Sequence, residues 1–500
     1  MHPMEATVEA MHSNRLLKAV RLIALAVLMG LGSGPEAIAA DTSDPFSVHA
    51  LTSGSQAGSY APAMSPCATN GLAQSPLSLW DVVDRALCNN PQTRIAWANA
   101  KVSAAQVGTA RAAYLPTLSA SGSASRNRAD GGTRVGAAVL SDTTLYNAEN
   151  GGLAAGYLLY DFGARDATLE SSLQTLAAAN FTQDATLQKV FLSAVQGYYQ
   201  LFGARASVEA AVEAERASLE SLKAATARYD AGTATPADKL QAQTTYSQAK
   251  LNRIQTEGNA KNAEGALANV MGLDANRPLS YVAPALKAPD EQFDRNLDQL
   301  VSEARRRRPD LAAAEAQVKA AEANAQAVRA AGMPTVSLSA NANYAGSSLS
   351  DPFHSQAIGI AISIPIFTGF SSTYQIRAAQ AKADSQAAQR DSVSLQVALD
   401  VWQAYHNLST GIQAVRSSVD LLASATESER VALGRYKAGV GNIIDLVTAQ
   451  SALASARQQN IQALYSLFIF KAALAQAFGR IDWEVLSEAG PKAREDGGMR

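Results

Sequence analysis

A long-range duplication restricts this chain more than any other feature. ARYDAGTATPADKLQAQ at Ala227–Gln243 returns as GRYKAGVGNIIDLVTAQ at Gly434–Gln450, with Arg228 and Arg435 standing 207 residues apart. The same offset pairs Tyr198 with Tyr405, Leu201 with Leu408, Asp238 with Asp445 and Gly272 with Gly479. Earlier in each copy the offset is 218, which pairs Pro91 with Pro309 and Pro116-Thr117 with Pro334-Thr335. The eleven-residue difference between the two offsets is expected in a loop that the first copy makes longer. This spacing marks a tandem duplication, not a solenoid with a period of about 20 to 50 residues.

Within each copy the pattern changes from helix to strand and back. Pro91 and Pro309 suit the first turn of a helix, and Pro116 and Pro334 follow its end. Strict alternation then starts: PTVSLSANANY puts Val336, Leu338, Ala340, Ala342 and Tyr344 on one face, and IGIAISIPI does the same for Ile358 to Ile366. A weaker version in the first copy sets Leu153, Ala155, Tyr157 and Leu159 against Gly152, Ala154 and Gly156. An apolar face backed by a small or polar one fits a soluble sandwich or an outer-membrane barrel strand. Two hairpins so far apart cannot cover their own edges, which favours the barrel, and four strands cannot close one alone.

After each hairpin comes a long stretch without proline, from Gly163 to Thr235 and from Gly369 to Trp483. A helix from near Gly163 to Tyr229 would be roughly 100 Å long, with Gly197 and Gly203 as possible bends. Gly232 and Gly439 fall where such helices need a left-handed terminating residue; Thr235 and Asn442 fall where the returning helices need caps. Asp238 and Asp445, three residues further on, are placed to reach back to the cap amide. Each copy thus carries a helical hairpin with a tight tip.

The first residues read as an export signal: Arg15, Lys18 and Arg21 precede the apolar run from Leu22, and Ala37-Ile38-Ala39 suits cleavage. No later run is apolar enough for a membrane helix, so any membrane role falls to strands. In an oxidising compartment Cys67 and Cys88 are expected to pair, closing a loop that contributes about 3 kcal/mol. No cysteine just after the signal suggests a lipid anchor. Arg305–Arg308 reads as a solvated helix end. A net charge of −2 and 6% aromatic residues give no sign of nucleic-acid binding. His49, His354 and His406 are scattered, and no metal, nucleotide or nucleophile motif occurs; no enzyme activity and no cofactor are expected.

From about Ser78 to Trp483 the chain resembles the TolC family of outer-membrane channel proteins, on the duplicated helix, strand hairpin, long helix and return helix, with RYDAGTATPAD and RYKAGVGNIID as tip motifs. The resemblance implies an α+β membrane fold: a homotrimer giving four strands per chain to a twelve-stranded β-barrel, continuous with a coiled-coil tunnel through the periplasm. It implies a passive exit duct of a tripartite export system, for efflux or type I secretion. Its partners would be outer-membrane lipid, a periplasmic adaptor and an inner-membrane pump, ABC or proton-driven. A periplasmic helical adaptor is the alternative, disfavoured because an adaptor has no use for barrel strands.

The implied organisation is a signal peptide at 1–39, a leader at 40–77, and a first repeat at 78–272 with hairpin about 117–162 and tip about 230–235. A connector at 273–296 precedes a second repeat at 297–483, with hairpin about 335–367 and tip about 437–442, and a tail at 484–500. For the gate, Tyr436 and Asp445 match the family's locking tyrosine and first aperture aspartate. Gly441 and Thr448 stand where the locking arginine and second aspartate would be, leaving Arg435 or Asp238 to supply the lock. Gly232, Thr233, Gly439, Val440 and Gly441 form the turns that an adaptor would dock.

Overall fold

The computed structural model describes residues 44–52, 76–135, 138–277, 279–284 and 296–479. Met1–Ser47 and Val48–Arg500 form separate units. The second carries all the elements below. The export signal, most of the leader, Cys67 and the tail lie outside the described residues. Cys88 is disulfide-bonded.

The two copies match helix for helix. Helices α1 (Leu79–Asn89) and α2 (Pro91–Ala112) of the first copy correspond to α5 (Leu297–Arg307) and α6 (Pro309–Ala330) of the second. The long α3 (Ala164–Asp230) and α7 (Ser371–Lys437) are both 67 residues, and α4 (Pro236–Val270) and α8 (Ile443–Ala477) both 35. Each long helix therefore extends about 100 Å. Gly197 and Gly203 do not interrupt α3. A Cβ at Gly197 would stand 3.1 Å from Leu267 Cδ1, and one at Gly203 3.4 Å from Tyr465, so these glycines let α4 and α8 approach.

The strands β1 (Thr117–Val135), β2 (Ala138–Tyr160), β3 (Thr335–Ser347) and β4 (Ser350–Ser363) form one antiparallel sheet in the order β1-β2-β3-β4. The hairpins of both copies are thus side by side. The first copy's extra residues do not make a longer loop; they lengthen the ladder, with strands of 19 and 23 residues against 13 and 14. Pairing of β2 with β3 stops at Ala148–Ser347, beyond which β1 and β2 continue as a two-stranded ribbon. Alternation through Ile366 overstated β4, which ends at Ser363, two residues before Pro365; a proline has no amide hydrogen for a ladder. A register shift between Leu158 and Tyr160 likewise breaks the alternation in β2.

Register places Ile358, Ile360 and Ile362 on the same sheet face as Val336, Leu338, Tyr157 and Leu118. Ile358 is 78% exposed. The opposite face carries Thr335, Ser337, Ser339, Ser119 and Ser121. Below the sheet, Val82, Val83, Val190, Tyr198, Leu201 and Leu267 form a core whose duplicates are built around Leu300, Ala304, Val397, Leu408 and Leu474. Burying a side chain such as Leu267 contributes about 2 kcal/mol. Between these cores and the tips, polar pairs set the register: Gln458 Nε2 donates to Ser207 Oγ at 3.1 Å and Asn460 Nδ2 to Ser418 Oγ at 3.1 Å.

Only part of the arginine run is solvated. Arg305, Arg306 and Arg307 are exposed, whereas Arg308 is buried. It donates to Asp310 at 2.6 and 3.0 Å and to Asp400 of α7 at 2.7 Å. Two carboxylates compensate the desolvation of one guanidinium. The equivalent site in the first copy holds Asn90, which caps α2 at Gln92 N and donates to Val270 O at 2.9 Å.

Candidate functional site: the paired tips

Both tips use the same backbone device. At the first, Gly232 has φ 73°, with Thr233 N donating to Arg228 O and Gly232 N to Tyr229 O. At the second, Gly439 has φ 82°, with Val440 N donating to Arg435 O and Gly439 N to Tyr436 O. These crossed bonds satisfy the last carbonyls of α3 and α7. The left-handed residue closing them favours glycine.

The helices that return from the tips are capped differently. Thr235 and Asp238 form a capping box: Thr235 N and Oγ1 donate to Asp238 Oδ2 at 3.0 and 2.9 Å, and Asp238 N donates to Thr235 Oγ1. Asn442 instead caps α8 by accepting from Ile444 N at 3.0 Å. Asp445 makes no capping box, contrary to the sequence expectation. Asparagine's oxygen reaches the second amide of the helix, and nothing ties the acid three residues on. Its exposed carboxylate has no hydrogen-bond or ion-pair partner among the described residues.

Tyr436 is buried, 4% exposed, in a small core with Ala225, Ala242, Ile443, Leu446 and Val447. Arg228 of α3 holds it from across the bundle. Its Nη2 donates to Tyr436 O at 2.5 Å, and its guanidinium lies 4.3 Å from the Tyr436 ring centroid. Neither Arg435 nor Asp238 makes that contact. Sequence reading took Arg228 only as part of the repeated motif, and its recurrence before a tyrosine was the one available signal. Nearby, Ser221 Oγ pairs with Gln450 Oε1 at 3.1 Å, another tie between α3 and α8.

Arg435 points elsewhere. It lines an open groove of about 500 Å³ between α7 and α8 with Asp445, Thr448 and Glu427. Asp445, Thr448 and Arg435 are therefore brought together on one surface, while Tyr436 faces the interior and Asp238 is held in its box. The arginine of the family pattern would fit at Gly441 only if the turn shifted. A Cβ there would stand 2.8 Å from Tyr436 N and 2.9 Å from Arg435 C. The turn residues Gly232, Thr233, Gly439 and Val440 are all exposed, Val440 at 72%.

No described helix is long and apolar enough to cross a membrane. The sheet exposes Ile358, Ile360 and Ile362 on one face, 66% or more each. The outer membrane efflux protein family matches residues 82–273 and 300–480. Protein CyaE of Bordetella pertussis is 32% identical, over 87% of this chain and 91% of its own. The toluene efflux pump outer membrane protein TtgC of Pseudomonas putida is 27% identical, over 83% of this chain and 86% of TtgC. The Campylobacter jejuni CmeC outer membrane channel has the same fold, with a TM-score of 0.71 at 21% identity over 80% of this chain and 85% of CmeC. With its duplicated helix and strand order, apolar sheet face and twin tips, the chain belongs to the outer membrane efflux protein family, the TolC-like channels that serve as exit ducts through the outer membrane.

Proposed function

We propose that three copies of this chain close one barrel and one periplasmic tunnel, opened at the tips by a periplasmic adaptor coupled to an inner-membrane pump. The observation that carries this reading is the open sheet. Its edge strands β1 and β4 have no partner within the described chain, yet its isoleucine face requires lipid and lipid requires every backbone group to be paired. Copies joined edge to edge satisfy both demands. Cargo passes through passively, and the pump, an ABC transporter or a proton-driven protein, supplies energy and most of the selectivity.

At the closed end, the Arg228–Tyr436 contact fastens the inner pair α7–α8 to α3, and Asp445 faces the aperture. Three like charges gathered there attract cations. Adaptor docking at Thr233 and Val440 weakens the fastening. Detergent-extracted outer membranes should yield a heat-modifiable trimer, and cysteines at Thr233 or Val440 should crosslink to the adaptor in cells. A soluble periplasmic monomer would overturn the assembly.

A further inference from the structure

Between the sheet and the lower cores, α2, α3, α6 and α7 lie side by side, each packed on the next. One face of this wall is hollowed into a cavity of about 740 Å³ whose lining includes Gln92, Asn99, Lys189, Gln317, Lys382 and Gln386. None of the residues that line it is acidic. The other face is different in kind. Helical spacing puts Asp184, Glu315, Glu322 and Asp384 there. It also carries the short turn Val48–Leu51, which sits on Gly108 and accepts a hydrogen bond from Asn180 Nδ2 at Leu51 O.

Lys189 and Lys382 are exposed and have no ion-pair partner among the described residues. A carboxylate-free hollow with two free ammonium groups and a surround of amides and hydroxyls supplies donors in several directions. We propose that this hollow is an anion-binding station on the passage face of the duct, where Lys189 and Lys382, at its two ends, each attract small solutes bearing carboxylate, phosphate or sulfate groups. The proposal rests on the duct reading above. A hollow bounded by all four wall helices is the concave side of the wall, and in the proposed trimer it presents six lysines to one passage. Cargo then meets two rings of lysines, about 20 Å apart along the duct, above the Asp445 aperture, filters of opposite sign in series.

Planar-bilayer recordings of the full-length protein in a potassium chloride gradient test this. Lys189→Glu with Lys382→Glu should move the chloride-to-potassium permeability ratio toward potassium by roughly threefold. Citrate should slow current in the wild type and lose that effect in Lys189→Gln with Lys382→Gln. Lys319→Glu, on the opposite face of α6, should change neither reading. Wild-type selectivity and citrate block in both lysine pairs, with conductance intact, would overturn the station and leave the duct standing. Absence of any conductance in the wild type would overturn the duct itself.

Discussion

The two tips have the same turn but hold their acids differently. Gly232 and Gly439 close α3 and α7 with the same pair of crossed backbone bonds. Asp238 is then committed to Thr235, whereas Asn442 caps α8 alone and leaves Asp445 free. A duplicated helix–turn–helix needs only one acid per tip for its structure. Once an asparagine takes over the cap, the second acid is released from the turn and left exposed. Arg228 and Arg435 have diverged in the same way: the first reaches across to Tyr436, and the second lines a groove with Asp445.

The comparison can be broken most severely at Gly441. Installing the family's arginine there, Gly441→Arg, should destabilise the second tip by about 3 kcal/mol, because its Cβ meets backbone at 2.8 Å. Urea unfolding followed by the helical circular dichroism signal reads this; an unchanged midpoint would mean the turn can open to admit a side chain. Next in size, Arg228→Leu removes a charge-assisted bond and a cation–π contact and should cost about 2 kcal/mol. Its duplicate, Arg435→Leu, should cost under about 0.5 kcal/mol. Equal losses at the two positions would erase the asymmetry.

A smaller split is expected at the acids. Asp238→Ala should lower stability by about 1 kcal/mol through the lost capping box, with ion selectivity unchanged. Asp445→Ala should leave stability near wild type, raise single-channel conductance and reduce cation preference in planar bilayers. Swapped outcomes would reverse the assignment of the two aspartates. The smallest effect concerns another duplicated pair, Asp184 of α3 and Asp391 of α7. Burial raises the Asp184 carboxyl above its ordinary value of 3.8, so its ionisation opposes folding. Its contribution is full below about pH 4 and declines as the pH rises through its folded value. Asp184→Asn should remove that decline in denaturation measured from pH 4 to 7, and Asp391→Asn should not.

Much of the architecture could be read because it is written in local signals repeated twice. Proline at Pro91 and Pro309, glycine at Gly232 and Gly439, and isoleucine at every second position from Ile358 each act within a few residues of themselves. Contacts between the copies carry no such mark. Arg228 and Tyr436 meet only because α3 packs against α8 and the two tips end at one height, and either side chain alone could have faced water. Arg308 looked like the end of a charged run, yet Asp310 and Asp400 make its burial tolerable, and Asp400 lies on another helix. Gly441 illustrates the same limit from the other side: its sequence shows a missing arginine, and only the fold shows the missing room.

The equal arms, 67 residues down and 35 back in both copies, set a mechanical tolerance. Deleting one heptad from α3 alone would lift its tip by about 10 Å relative to its twin and carry Arg228 away from Tyr436. Length can therefore change only in matched steps, in the outgoing and returning helices of both copies together. The arms are in effect a ruler for the depth of the periplasmic tunnel, and the Arg228–Tyr436 contact at their ends forms only when both halves are cut to the same measure.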